Sequence, residues 1–211
     1  MGFSRSIRKR LWLAFAFGFL SSMGAPLSAQ ETQALVPLSE INVALKNISP
    51  QSGRFEQSLP NGQLARGTYF MQWPARLRFA YEGENQGGSI VTVKGKFVAV
   101  QEKPGGEPNW FPVSLTPLSV LRQAVRDGIR DAMVRTRKDT STTIALTLQD
   151  PSGDLPGEVT LYFTRSNLTL YAWRLVDVQN LVTQVRLTEI VPTDKLDASV
   201  FTIDYDEPDE E

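Results

Sequence analysis

Cysteine and histidine are both absent from the 211 residues. Their absence excludes Ser-His-Asp and Cys-His nucleophilic catalysis and the common zinc sites. The chain can form no disulfide, and a domain of this length can stand on its hydrophobic core alone. It offers no thiol for lipid attachment, so the protein itself is not expected to be a lipoprotein. Also missing are a Gly-x-Ser-x-Gly nucleophile elbow, a phosphate-binding loop and a Gly-x-Gly-x-x-Gly turn. Glu56, Glu82, Glu84, Asp150 and Asp177 fall at expected strand ends or turns, where carboxylates are ordinary. No catalytic residue, cofactor or metal is expected, and the protein is read as not an enzyme.

A long hydrophobic run is lacking too. Leu11–Leu20 is apolar, about half the roughly 20 residues that span a bilayer. Before it stand Arg5, Arg8, Lys9 and Arg10 with no acid, and after it a small-residue stretch ends at Leu27-Ser28-Ala29. This order of regions predicts a cleaved secretory signal peptide over residues 1–29. Its removal leaves a mature chain, comprising the exported domain of residues 30–205 and the tail, with 18 basic and 23 acidic residues, so the mature chain is mildly acidic. That balance does not suggest a nucleic-acid partner. The acids gathered in residues 204–211 predict a solvated C-terminal tail over 206–211, and no turn glycine is there to shape a calcium loop.

What is present is strand alternation. Leu38, Ile41, Leu45 and Ile48 have helical spacing, closed by Pro50 and Gly53. From there the period drops to two, predicting strands over 53–59, 64–72, 76–82, 89–93, 96–101, 142–149, 158–164, 168–177, 182–190 and 201–204. Turn residues separate them, as in Pro60-Asn61-Gly62, Lys94-Gly95 and Pro151-Ser152-Gly153. One amphipathic helix interrupts the series. Thr116-Pro117 opens it, Leu118, Leu121 and Val125 share a face, and Gly128 ends it. The fold class expected is α+β and mainly β: a curved antiparallel sheet forming an unclosed β-barrel covered by a helical lid.

Alternation also marks one apolar face. Trp73, Leu77, Phe79 and Tyr81 share a parity, while Arg76 and Arg78 take the other. Val91 and Val93, Leu146, Leu161 and Phe163, and Trp173 continue the pattern on later strands. Such a face either packs into a filled core or walls a hydrophobic cavity roofed by Leu118, Leu121 and Val125. Both readings stay open from the pattern.

Taken in order, several segments resemble the outer-membrane lipoprotein carrier (LolA-like) family, with the nearest likeness in its alphaproteobacterial branch. They are Gly53-Arg54-Phe55-Glu56-Gln57, Gly67-Thr68-Tyr69-Phe70, Trp73-Pro74 with the strand to Tyr81, and the Lys94-Gly95-Lys96 hairpin. Trp110-Phe111-Pro112-Val113, Leu146 to Pro151, Trp173 to Asp177 and Asp197 to Ile203 follow. The resemblance implies a periplasmic monomer that binds the acyl chains of outer-membrane lipoproteins. It would receive them from an inner-membrane lipoprotein-releasing ABC transporter and carry them to the outer membrane, to a separate acceptor or directly. The cavity would be lined by Trp73, Leu77, Phe79, Tyr81, Val91, Val93, Leu146, Leu161, Phe163 and Trp173, with Leu118, Leu121 and Val125 on the lid. A lipid or glycolipid shuttle, or an envelope sensor module, would suit the same scaffold. Enterobacterial members place a basic lid latch just before the proline of the third strand, and here that place holds Trp73.

Overall fold

The computed structural model describes residues 34–83 and 88–205. The expected signal peptide, the acidic tail 206–211 and Glu84 lie outside the described residues. Helix α1 (Leu38–Lys46) precedes six strands: β1 (Gln51–Ser58), β2 (Leu64–Gln72), β3 (Arg76–Glu82), β4 (Ile90–Lys94), β5 (Phe97–Gln101) and β6 (Asn109–Pro112). Helix α2 (Leu118–Asp127) leads to β7 (Val134–Asp139), β8 (Thr143–Gln149), β9 (Glu158–Thr164), β10 (Leu170–Val176) and β11 (Val182–Pro192).

All eleven strands form one antiparallel sheet in the order β6-β5-β4-β3-β2-β1-β11-β10-β9-β8-β7. The chain meanders from the centre to one edge, crosses to the opposite edge and meanders back until β11 pairs with β1. Edge strands β6 and β7 do not pair with each other, so the sheet is unclosed. Residues 113–133 join these two edges, and the helix of that linker is α2. The topology itself therefore carries an amphipathic helix across the sheet.

The inner face is built on aromatic residues and one glycine. Gly67 on β2 lies opposite Phe55 on β1 and Tyr81 on β3. A Cβ at Gly67 would stand 2.0 Å from the Ala80 carbonyl oxygen and 2.9 Å from the Phe55 ring. The missing side chain lets Phe55 meet Phe79 and Tyr81 edge-on, at centroid distances of 4.9 and 5.2 Å. Such pairs add about 0.5–1.5 kcal/mol each beyond the area they bury.

Helix α1 buries Ile41 and Leu45, and α2 buries Val120, Leu121, Ala124 and Val125 in the same core. Gly128 ends α2 at φ +86°, and its N–H reaches the Ala124 carbonyl. The Thr116 hydroxyl donates to the Val113 carbonyl at 2.8 Å, so it does not provide the expected side-chain cap.

Three further expectations are corrected. Residues 201–204 do not form a strand: Ala198–Phe201 is a 3-10 turn opened by Asp197, whose carboxylate accepts the Ser199 N–H. This segment packs on the outer face of β3, burying Phe201 beneath Arg76, while Arg78 donates to the Thr202 carbonyl. Strand β6 was missed because four residues ending in proline give too short a period to read. Strand β7 was missed because Val134–Asp139 carries five polar or charged residues in sequence and keeps an exposed edge.

Candidate functional site

The thirteen residues assigned above to cavity and lid converge on one interior. Leu77, Phe79, Val93, Leu146, Leu161, Phe163, Trp173, Leu121 and Val125 belong to a single buried cluster, and Trp73, Tyr81, Val91 and Leu118 pack against it half-buried. They come from β3, β4, β8, β9, β10, α2 and the β2–β3 turn, so both halves of the sheet contribute. Ile41 and Leu45 of α1, together with Val120 and Ala124 of α2, fill the space between the halves. In this conformation the interior is closed by the helices' own side chains.

Polar groups around the interior are held at its margin. Tyr81 donates its hydroxyl to Gln57 Oε1 at 2.6 Å, and burial pushes the phenol up to about 12. Tyr69 donates to the Glu189 carbonyl at 3.2 Å and accepts from Gln51 Nε2, and burial raises its pKa as well. Both tyrosines are therefore neutral across the physiological range. Trp73 packs edge-on to Trp173 at 6.4 Å. Its indole Nε1 is buried with no acceptor among the described residues, an exception to the rule that buried donors are paired.

A basic residue does tie the helix to this turn, from the α2 side. Arg122 on α2 donates Nε to the Pro74 carbonyl at 2.9 Å and Nη1 to the Gly95 carbonyl at 2.6 Å. One guanidinium thus ties the helix to the β2–β3 turn and the β4–β5 hairpin. Burial, and then the neighbouring Arg126 charge, lower its pKa, but an arginine remains charged regardless. Arg122 is not among the residues that the sequence pattern singles out, since it lies off the apolar face of Leu118, Leu121 and Val125. Helical spacing from Leu118 could show that it flanks that face, but the carbonyls it reaches depend on tertiary placement.

The other fixings of the linker are at its ends. Val113 N–H donates to the Lys96 carbonyl at 2.9 Å. At the far end Asn42 on α1 clamps the Ile129 backbone, donating to its carbonyl at 2.9 Å and accepting its N–H at 2.7 Å. Beside α2 runs a groove of about 450 Å3, lined by Lys96, Arg122, Gln123, Arg126, Asp150 and Asp154 among others. Pro74, Val113 and Leu155 line it as well, so charged and apolar groups share its walls, in contrast to the apolar interior beneath the helix. Asp150 shapes one wall by accepting the Ser152 hydroxyl at 2.7 Å and the Asp154 and Leu155 N–H groups at 3.0 Å, contacts that hold its carboxyl below the usual range.

No helix among the described residues is long and apolar enough to cross a membrane. Three solved structures are similar to the chain at low identity. A LolA superfamily protein from Nitrosomonas europaea is 15% identical over 80% of this chain and 98% of its own, with a TM-score of 0.43. The Mycobacterium tuberculosis lipoprotein LppX is 14% identical over 72% of this chain and 93% of its own, with a TM-score of 0.38. The MucA/MucB complex of Pseudomonas aeruginosa matches at 8% identity over 78% of this chain and 59% of its own, with a TM-score of 0.41. No curated protein matches the sequence. Residues 46–204 match the model of the family described as outer membrane lipoprotein carrier protein LolA, and the chain belongs to that family.

Proposed function

We propose that this protein is a periplasmic chaperone for outer-membrane lipoproteins. It takes their acyl chains between the sheet and α2, after release by an inner-membrane ABC transporter, and carries them to the outer membrane. The observation that carries this reading is the unclosed apolar sheet face covered by a linker helix. Residues 1–29 direct export and are removed, residues 30–205 form the carrier domain, and the protein acts as a monomer without catalysis.

Magnitudes support an exchange between lid and lipid. Burying Val120, Leu121 and Val125 gives about 1.5–3 kcal/mol each, hence about 5–9 kcal/mol for the lid face, as an upper estimate. An acyl chain of about 14 methylenes offers roughly 11 kcal/mol at about 0.8 kcal/mol per methylene. The chain exceeds the lid by a few kcal/mol, enough to displace it and little enough to permit release. Leu77, Phe79, Val93, Leu146, Leu161, Phe163 and Trp173 would then face lipid, with the half-buried Trp73, Tyr81 and Val91 nearer the mouth. The unpaired Trp73 N–H suits the carbonyl of an ester or amide at the head of the chain.

Native mass spectrometry of the protein purified from its own periplasm tests the proposal. A species heavier by the mass of an acylated protein is expected. Adducts of lipid mass alone would favour a lipid shuttle, and a wholly unliganded population would favour a permanently filled core.

A further inference from the structure

We propose that the corner where β5 meets β6 is a docking surface for an anionic phospholipid bilayer. Phe97, Trp110, Phe111 and Leu115 are 48%, 50%, 50% and 72% exposed. Single exposed apolar residues are ordinary, but four of them gathered on β5, β6 and the turn that follows point to an interaction site. The Phe97 and Trp110 rings meet edge-on at 6.3 Å, so the group is organised. Register places Trp110 opposite Ala99 and Phe111 opposite Val98. With alternation, Trp110 and Phe97 share one face of the sheet and Phe111 takes the other. Apolar rings thus project from both sides of a free edge, forming a wedge rather than a concave socket. A bilayer interface can receive a convex wedge without a complementary partner shape.

Charge favours the same occupant. The whole chain carries 22 basic and 23 acidic residues, yet residues 88–101 and 108–126 hold Lys94, Lys96, Arg122 and Arg126 and no acid, the acids Glu102 and Glu107 lying in the β5–β6 loop, at the end of β5 away from Phe97. Arg126 is paired with Asp127, Arg122 is engaged with the two turn carbonyls, and Asp150 and Asp154 face Lys96 across the groove. Lys94 and Lys96 are exposed and, among the described residues, in no ion pair. They flank Gly95 immediately before Phe97. Aromatic rings seated at the headgroup level with lysines beside them are the arrangement that anchors peripheral proteins to anionic lipid. The corner also adjoins the groove beside α2 through Lys96 and Val113, so docking would bring a membrane to the edge of the lid. The inference does not depend on the identity of the cargo.

Co-sedimentation with vesicles of phosphatidylethanolamine and phosphatidylglycerol, against phosphatidylcholine vesicles, tests it. No lipoprotein is present in either, so failure here leaves the carrier reading untouched. The wild type should bind the anionic vesicles and lose binding in 0.5 M salt. The double variant Lys94→Glu/Lys96→Glu should bind at least about tenfold more weakly, since each lysine near such a surface contributes about fivefold. Phe97→Ser/Trp110→Ser should lower binding as well, with unchanged circular dichroism because the side chains are exposed. All variants share one N-terminus, so differences report the corner alone. Equal binding to both vesicle types, or variants that bind like wild type, would overturn the proposal. A dimer that Phe97→Ser/Trp110→Ser dissolves, without vesicle binding, would assign the patch to a second copy instead.

Discussion

Replacing Arg122 by alanine removes both bonds that tie α2 to the turns at Pro74 and Gly95 while leaving the apolar face of the helix intact. A hydrogen bond from a charged donor contributes about 1.5–3 kcal/mol, and the Gly95 bond is solvent-exposed, which places it lower. We take about 2 kcal/mol for the pair, equivalent to about thirtyfold in the balance between closed and open lid. If the open state is the one that admits an acyl chain, its rarity weakens apparent affinity by the same factor. Arg122→Ala should then bind a fluorescent fatty-acid probe up to about thirtyfold more tightly. Arg122→Lys, which keeps the charge but not the fork of donors, should fall between the two. Hydrogen exchange should accelerate across residues 113–133 before it does so in β1, β2 and β11. Unchanged or weakened probe binding with a lowered melting temperature would refute the argument, making Arg122 a structural tie rather than a latch.

Gly67→Ala drives a methyl group against the Ala80 carbonyl and the Phe55 ring, and should cost about 2–3 kcal/mol. Thermal denaturation should show this as a drop of about 4–12 °C for a domain of this size. Asp139 accepts a bidentate pair from Arg137 at 2.7 Å and a longer bond from Arg165 at 3.3 Å; the Arg137 hydrogen bond above all holds its carboxyl below the usual range. A depressed carboxyl stabilises the fold above its unfolded pKa, about 3.9, and that stability is lost as pH falls through the folded value. Asp139→Asn should therefore be about 2 kcal/mol less stable than wild type at pH 7, with the gap closing below about pH 4 in urea titrations.

The parts of the fold that could be read from sequence are those where a strand has one wet and one dry face. β2, β3 and β9 begin and end where alternation placed them, because Arg76 and Arg78 set against Leu77 and Phe79 leave one register. Edge strand β7 escaped because a strand buried on neither face carries no alternation to detect. The tail from Ala198 to Phe201 misled for the opposite reason. Phe201 and Ile203 alternate as strand residues do, yet Phe201 is buried by packing onto the outside of β3 rather than by joining the sheet. At the candidate site the apolar residues were accessible by parity, since each side chain points where its strand dictates. Arg122 was not, because its acceptors are backbone carbonyls of turns 48 and 27 residues away in sequence, and any residue type can supply a carbonyl.

The topology constrains how such a lid can work. Because α2 lies within the linker between the two sheet edges, it cannot detach: Val113 is tied to Lys96 of the β4–β5 hairpin, and Ile129 is clamped by Asn42 of α1. Opening must therefore displace the middle of the linker while both ends stay bonded, and the bonds that resist this displacement are those of Arg122. Entering lipid has to offset the burial of Val120, Leu121 and Val125 together with these two hydrogen bonds, while the backbone ties at the ends remain. If lipid displaces the helix as proposed, a lid tethered in this way can close again over the same sheet face when lipid leaves. Loading and release then become two directions of one local equilibrium, and the surrounding sheet need not unfold for either.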